Sequence, residues 1–185
     1  VTLNEVVNGN AGSILAKDQP NYVIVFSESE PDVGELVTRL YMESSHYNIV
    51  LIGQPVWQIW KTLELSFLHK LQLTLFTPFH VDYTKPATQA FLKRCRSVYG
   101  FEPYEISRSG YNFCMLGYDM GLYFLTALKE YGRDFQNCIE YHRTATLLSD
   151  YSFQGGEDKG YVNSFISFIR YNQDYTIENI KIQFP

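Results

Sequence analysis

The sequence predicts an α/β fold, with a parallel β-sheet covered by helices and a β-hairpin at the C terminus. Three observations support this. Short runs of β-branched and aromatic residues alternate with amphipathic helical segments between residues 21 and 77. The connections between these segments are short, which favours right-handed βαβ crossovers and a parallel sheet. Residues 165–184 instead form two strand-like runs around an Asn-Gln-Asp turn.

The first half of the chain contains three predicted strands and two predicted helices. Tyr22–Phe26 is apolar throughout, which is typical of a strand covered on both faces. Ser29 begins a capping-box-like S-E-P-D sequence, so a helix is predicted from there to about His46. The next predicted elements are a strand over Asn48–Gly53, a helix over Val56–Lys70 and a strand over Leu71–Thr77.

The second half is predicted to be mainly helical before the terminal hairpin. Glycines end two helices, because a residue in the left-handed conformation commonly follows a helix C terminus. The segment 110–128 is long enough to span a bilayer. Its apolar residues repeat at helical spacing among polar ones, which favours a helix in a soluble core, so no membrane span is predicted. The predicted elements are a strand over residues 1–7 and a short helix before Pro20, helices over Pro86–Tyr99, Gly110–Tyr131 and Asp134–His142, a loop over Gln154–Gly160, and a hairpin of Phe165–Tyr171 and Thr176–Phe184.

Composition restricts the classes of function. The 185 residues are 45% hydrophobic and 19% charged, which is typical of a globular chain with one substantial core. The formal net charge is -5 and no basic stripe is visible, which argues against nucleic acid as a partner.

No catalytic motif is present in the sequence. The four histidines form no metal-binding pair, and there is no nucleophile elbow or phosphate-binding loop. The acidic cluster Glu28, Glu30 and Asp32 is interpreted as charge at a helix N terminus rather than a catalytic pair. The sequence therefore predicts no enzyme activity, no catalytic residues, no metal site and no cofactor.

Cysteines and a pair of glycines are the remaining local features. Cys95, Cys114 and Cys138 form no CxxC pair, so no zinc site is expected. Buried free thiols are predicted for Cys95 and Cys114, with a disulfide between two of the three as the alternative. Gly117 and Gly121 have the spacing that lets a neighbouring element approach a helix closely.

Polar side chains follow two of the predicted strands. Open parallel sheets bind ligands beyond the carboxyl ends of their strands, so we expect a recognition rim there. The indole of Trp57 has two interpretations, ligand contact or packing of a helix on the sheet. The candidate ligand-binding residues are Ser27, Glu28 and Ser29 after the first strand and Gln54, Pro55, Trp57 and Gln58 after the second.

A family resemblance rests on two long segments. Residues 76–103, F-T-P-F-H-V-D-Y-T-K-P-A-T-Q-A-F-L-K-R-C-R-S-V-Y-G-F-E-P, are followed by G-Y-D-M-G-L-Y-F-L-T-A-L-K-E-Y-G at 117–132. This pattern resembles the second half of type I periplasmic binding proteins, the branched-chain amino acid receptors of ABC importers. The segments Tyr47–Gln58 and Leu68–Tyr83 resemble those of Bacteroidetes envelope proteins that pair such a domain with a LysM module.

The resemblance implies a three-layer αβα Rossmann-like architecture within a single α/β domain spanning 1–185. Residues 1–82 and 144–185 would form the ligand-lobe sheet, and 83–143 would be a helical remnant of the other lobe. The resemblance also implies that Tyr83, in an aromatic and acidic loop, contacts the ligand. Loop 54–57 lacks the carboxylate with which many family members bind an amino-acid ammonium group, which argues against an amino-acid ligand.

The implied function is a non-catalytic, receptor-like domain of an exported protein in the periplasm or cell envelope. Its expected ligand is a small solute or a peptidoglycan fragment. The alternative is a degenerate binding-protein fold that serves as a scaffold for a protein partner. A third hypothesis, a sugar-nucleotide enzyme of doubly wound fold, requires a phosphate-binding loop that the sequence lacks. A homodimer is a further expectation, because an incomplete lobe exposes apolar surface.

Overall fold

The computed structural model of the protein describes residues 13–77, 79–103, 112–156 and 160–182. The chain forms two compact units, one made of Val1–Thr77 with Phe168–Ile180 and the other of Pro78–Ser167 with Lys181–Pro185. The strands are β1 (Asn21–Ile24), β2 (Ile49–Gly53), β3 (Thr74–Thr77), β4 (Phe153–Gly156), β5 (Gly160–Asn163), β6 (Ile166–Tyr171) and β7 (Ile177–Ile182). The α-helices are α1 (Glu30–Glu43), α2 (Leu65–Lys70), α3 (Pro86–Arg94) and α4 (Phe113–Tyr131).

The main sheet has the strand order β1-β2-β3-β6-β7. β2 pairs in parallel with both β1 and β3. The Tyr171 N–H donates to Leu73 O at 2.9 Å, and the chain beyond it reaches His69, whose Nδ1 lies 2.7 Å from Asn172 O. The chain after β6 thus approaches the chain before β3, so these strands run in opposite directions and the sheet is mixed. The predicted α/β class is confirmed, and β6 and β7 form the hairpin expected at the C terminus.

The core of the first unit lies between the sheet and two helices. Helix α1 begins after Ser29 with Pro31 in its first turn, as predicted, although the Ser29 side chain makes no capping hydrogen bond. Tyr41 of α1 stacks on Phe67 of α2 with ring centroids 3.9 Å apart. The two helices therefore share one face of the sheet. The buried side chains include Val33, Leu36, Val37 and Leu40 of α1 and Leu51, Leu73 and Leu75 of the strands.

The other face of β1 is exposed, so the prediction that Tyr22–Phe26 is covered on both faces is wrong. Tyr22, Ile24 and Phe26 are 66%, 58% and 70% exposed. The reason is topological, since β1, β2 and β3 follow one another in order and same-handed crossovers place both helices on one side. Among the described residues of this unit, no second helical layer covers that face.

Two further predictions of local structure are wrong. The helix predicted over Val56–Lys70 is a 3-10 turn at Pro55–Ile59 followed by the short α2, because the chain is extended at Trp60. The loop predicted over Gln154–Gly160 contains parts of an antiparallel pair, β4 and β5. The two strands lie close together at Gly155, because an added Cβ there would be only 2.0 Å from Gly160 O.

Several other predicted elements differ from the structure in length or lie partly outside the described residues. The predicted helix over Pro86–Tyr99 is α3 followed by a π-helical turn over Cys95–Tyr99. The segment 134–142 begins within a 3-10 helix, Gly132–Cys138, rather than an α-helix. The predicted strand over 1–7 and the first two residues of the predicted helix at 110–131 lie outside the described residues.

All three cysteines are free, with Cys95 buried and Cys114 half-buried.

The second unit is organised around α4. The Asn112 side chain caps this helix by accepting a hydrogen bond from the Met115 N–H at 3.0 Å. Asp119 in the middle of the helix is fully buried and accepts from the N–H groups of Leu147 and Leu148 at 2.8 and 2.7 Å. Burial raises the pKa of this carboxyl, and the two backbone hydrogen bonds oppose that rise. One side chain thus joins α4 to the segment before β4.

Replacing Asp119 tests this connection. In Asp119→Asn only one oxygen remains, so the N–H of Leu147 or Leu148 loses its acceptor and faces an amide NH₂ group instead. We expect the free energy of unfolding to fall by about 1–3 kcal/mol, the cost of an unsatisfied buried group. Urea denaturation followed by circular dichroism at neutral pH measures this. Asp134→Asn, at an exposed position, is the control, and an equal loss in both variants would contradict the assigned role.

Tyr151 gives a second prediction for this unit, in the alkaline range. Burial, with a smaller contribution from the Asp119 carboxylate, raises the pKa of Tyr151 to about 12. The folded state therefore favours the neutral phenol, and its stabilising contribution is complete below the unfolded pKa of about 10. We expect that contribution to be lost between about pH 10 and 12. Denaturant unfolding across this window should show a steeper fall for the natural protein than for Tyr151→Phe, and parallel curves would refute the assignment.

Candidate functional site

The candidate rim lies in the first unit, where β1 and β2 end side by side. Val25 N–H donates to Ile52 O at 2.9 Å, so the parallel pairing of the two segments continues past the end of β1. The chain then leaves the sheet through residues 26–29 on one strand and 54–58 on the other. The predicted residues of both loops therefore lie at one edge of the sheet, as expected from the parallel order.

Trp57 connects the two loops. Its indole N–H donates to the Ser27 carbonyl at 3.0 Å, and its side chain is 1% exposed. The ring packs directly over Gly53, where an added Cβ would lie 2.3 Å from Trp57 Cζ3. Trp57 thus packs beneath the two loops as part of the core, and its side chain is not accessible to a ligand.

The other predicted rim residues are more accessible. Ser27 Oγ accepts a hydrogen bond from the Ser29 N–H at 3.2 Å, so this hydroxyl stabilises its own loop. The exposed residues are Glu28 and Gln58, and the half-buried ones are Ser27, Ser29, Gln54 and Pro55. Tyr83 belongs to the second unit, where it lies in the turn before α3 and is 43% exposed.

Phe26 is a rim residue that the sequence reasoning missed. It is 70% exposed and directly precedes Ser27, and its ring meets that of Phe76 edge-on at 6.3 Å between centroids. The sequence signal was the two-residue period of a strand: Val25 points inward, so Phe26 must point outward. The prediction that both faces of Tyr22–Phe26 are covered leaves no exposed position for Phe26.

The charge near the rim is negative and has a structural partner. Thr62 Oγ1 donates to Glu30 Oε1 at 2.5 Å, and Glu30 and Asp32 both lie in the first turn of α1. This supports the interpretation of the acidic cluster as complementing the helix N terminus. In the ranges that the structure describes, no three histidine, cysteine or acidic residues converge as metal ligands.

His142 of the second unit has polar neighbours that the sequence did not indicate. Its Nε2 lies 3.0 Å from Thr126 Oγ1 and its Nδ1 lies 3.2 Å from Glu130 Oε2. The order hydroxyl, imidazole, carboxylate is that of a hydrolase triad. However, the Thr126 hydroxyl donates to Leu122 O at 2.7 Å, and His142 is only 1% exposed. The hydroxyl is thus held by its own helix, and the arrangement stabilises packing rather than activating a nucleophile.

A cleft of about 600 Å³ lies at the opposite edge of the first unit's sheet. It is predominantly polar and is formed where β2 and β3 begin. Gln72, in the left-handed conformation at φ 48°, donates to Asn48 Oδ1 across it at 3.4 Å. Its lining residues include His46, Asn48, Lys70, Gln72 and Gln173. The sequence reasoning had no signal for this cleft, because its walls come from three separate turns, at residues 44–49, 70–72 and 173.

The packing of Trp57 on Gly53 gives a prediction for the rim. In Gly53→Ala the new methyl group must displace the indole, so we expect a loss of about 1–3 kcal/mol in unfolding free energy, typical of overpacking. Tryptophan emission should shift to longer wavelength as the ring becomes wetter. Gly34→Ala on α1 is the matched control, because a Cβ there meets no atom within 4 Å. An unshifted emission spectrum in Gly53→Ala would contradict the packing.

In sequence, the chain matches no protein-family model and no curated protein. The rim offers an exposed aromatic ring and a carboxylate on the loop after β1, and two amide groups on the loop after β2. This combination suits recognition of a polar ligand by stacking and hydrogen bonding.

Proposed function

We propose that the protein is a non-catalytic ligand-binding domain, built on the type I periplasmic-binding-protein plan. The observation that carries the proposal is the coupling of two adjacent parallel strand ends through the Trp57–Ser27 hydrogen bond. Phe26 and Glu28 are exposed on one of the joined loops, and on the other Gln58 is exposed and Gln54 half-buried. A rim held by buried packing is preorganised, which reduces the entropy lost on binding.

The side chains of the rim favour a neutral or cationic polar ligand. Phe26 offers a flat apolar face, and Glu28 accepts hydrogen bonds from hydroxyl, amide or ammonium groups. The neighbouring carboxylates of Glu30 and Asp32 disfavour an anion by like-charge repulsion. A small solute or a cell-wall fragment containing sugar and peptide amide groups fits these requirements. We accordingly propose a location in the periplasm or cell envelope.

The proposal includes the architecture of these receptors. Three parallel strands, two crossover helices and a C-terminal hairpin agree with the sheet of one receptor lobe. A three-layer αβα Rossmann-like fold has helices on both faces of its sheet, whereas the described residues place none on the face that carries Tyr22, Ile24 and Phe26. We therefore propose the sheet and one helical layer of such a lobe.

The alternative function is a scaffold that binds a protein partner. It is favoured by one observation, the row of exposed apolar side chains Tyr22, Ile24 and Phe26 on one face of β1. Apolar patches of this kind often mark interaction surfaces. The two functions predict different roles for Tyr22. A protein partner would cover its side chain, whereas a small ligand at the strand ends would not reach it.

A thermal-shift screen tests the proposed function, using amino acids, short peptides, sugars and muropeptide fragments. A ligand at ~100 times its dissociation constant adds about 2.7 kcal/mol of stability. We expect sugars or muropeptides to raise the melting temperature. In Phe26→Ala and in Glu28→Gln, the same rise should require at least ten times more ligand. Tyr141→Ala, an aromatic with 75% exposure in the second unit, should leave the shift unchanged.

Two results would overturn the proposal. The first is the absence of a shift with every compound of the panel. The second is an equal shift in the natural protein and in both rim variants, which would place binding elsewhere. Loss of binding to a protein partner in Tyr22→Ala would support the scaffold instead.

A further inference from the structure

The last turn of α3 packs against the first turns of α4 in the second unit. The ring of Phe91 on α3 lies against that of Tyr118 on α4, with centroids 4.8 Å apart. Leu92 of α3 and Met115 of α4 belong to one buried cluster, and Phe91 packs against that cluster. The end of the first helix and the start of the second are therefore in direct side-chain contact.

A cysteine lies one turn from each ring of this contact. Cys95 follows Phe91 by four residues at the end of α3, and Cys114 precedes Tyr118 by four residues at the start of α4. Residues four apart lie on the same face of a helix. Cys95 therefore continues the face of α3 that carries Phe91, and Cys114 continues the face of α4 that carries Tyr118.

The two thiols are neighbours in the folded chain. Cys95 is 3% exposed and Cys114 is half-buried. Burial raises the pKa of the Cys114 thiol, and the charge of Cys95 and a hydrogen bond between the two side chains raise it further. This hydrogen bond agrees with the ring contact one turn away, so two independent contacts bring the sulfur atoms side by side.

We propose that Cys95 and Cys114 form a disulfide bond when the protein is oxidised, which joins the end of α3 covalently to the start of α4. The bond requires the two side chains to turn until their sulfur atoms are about 2.05 Å apart. It closes a loop of about 20 residues, so it stabilises the fold by restricting the unfolded chain.

The oxidant is a small-molecule disulfide, for which oxidised glutathione is the probe. The thiolate of Cys114, the more accessible of the two, attacks one sulfur of the reagent and releases the first glutathione thiolate. The sulfur of Cys95 then attacks that of Cys114 in the mixed disulfide and releases the second. The two cysteine protons pass to the released thiolates, so two cysteine thiols are oxidised to one disulfide and one glutathione disulfide is reduced to two thiols.

The pair has the character of a structural crosslink rather than of a catalytic redox centre. Reactive cysteines have a lowered pKa and are thiolates at neutral pH. The pKa of Cys114 is instead raised, so little thiolate is present and the exchange is slow.

The third cysteine lies elsewhere in the unit and provides an internal control. Cys138 ends the 3-10 helix that follows α4, and the carbonyl of the next residue, Ile139, accepts a hydrogen bond from the Tyr123 hydroxyl at 3.2 Å. Tyr123 comes nine residues after Cys114, which corresponds to a rise of about 13 Å and to the opposite side of the helix. A disulfide requires Cα atoms within about 7 Å, so Cys138 lies too far from Cys114 to pair with it.

The test is equilibration of the full chain with mixtures of oxidised and reduced glutathione. Remaining thiols are then alkylated in denaturant, and peptides are identified by mass spectrometry. We expect Cys138 to be alkylated, and the peptides that contain Cys95 and Cys114 to be joined. At one glutathione mixture, the ratio of disulfide to dithiol should be at least about tenfold higher in the folded chain than in urea, because a bond that stabilises the fold is stabilised by it equally.

Melting temperatures of oxidised and reduced samples give a second measurement. Oxidation should raise the melting temperature of the natural chain by about 5 °C or more. The difference should vanish in Cys114→Ser, and because each variant is compared with itself, any effect of the substitution on stability cancels. Cys138→Ser, which replaces the other half-buried cysteine, is the matched control and should keep the full difference.

Four results would overturn the inference. They are three alkylated cysteines at every glutathione mixture, a crosslink that includes Cys138, an equal disulfide ratio in the folded and urea-unfolded chains, and a rise in melting temperature that persists in Cys114→Ser. The inference does not depend on the proposed function, because the cysteines and the rim belong to different units.

Discussion

The contact of Trp57 with Gly53 and Ser27 is the constraint on which the candidate site depends. The indole occupies the space that a side chain at position 53 would fill, and its N–H holds the carbonyl of the neighbouring loop. Because the ring is buried, this hydrogen bond is protected from competition with water. The two loops are thereby joined into one rim, in which Phe26 and Glu28 are exposed.

The order of strands explains where apolar surface remains. Two successive crossovers of the same hand place α1 and α2 on one face of the sheet, so the alternate residues of β1 point to a face that these helices do not cover. Helix α4 in the second unit has a comparable asymmetry. Its Asp119 is directed inward and accepts hydrogen bonds from two backbone N–H groups. This fixes the rotation of the helix about its axis, with Gly117 and Gly121 on the outer side. Exposed apolar faces thus result from buried polar and topological constraints.

Much of the local structure was predictable from the sequence, and the failures have identifiable causes. Continuous apolar runs located β1 and β2, and the Ser-Glu-Pro-Asp sequence located the start of α1. The helix predicted after Pro55 is wrong, although Trp57 and Trp60 have helical spacing. The chain there forms a 3-10 turn and is then extended at Trp60, and Trp57 packs on Gly53. The prediction of a loop over Gln154–Gly160 fails because Gly155, which has no side chain, permits close strand approach, and Gly160 adopts a φ of 70° beside it. Phe26 was missed because the sequence alone does not show how many faces of a strand are covered.

By itself, the sequence determined the α/β class, the parallel order of the first three strands and the position of the loops that form the rim. These follow from local hydrophobic periodicity and from the handedness of crossovers, which act over a few residues or one βαβ unit. Only the tertiary structure decided that Trp57 is buried while Phe26 is exposed, and that Asp119 binds backbone groups 28 and 29 residues away. Burial and long-range hydrogen bonding depend on which distant segments come together, and a single sequence records that only indirectly.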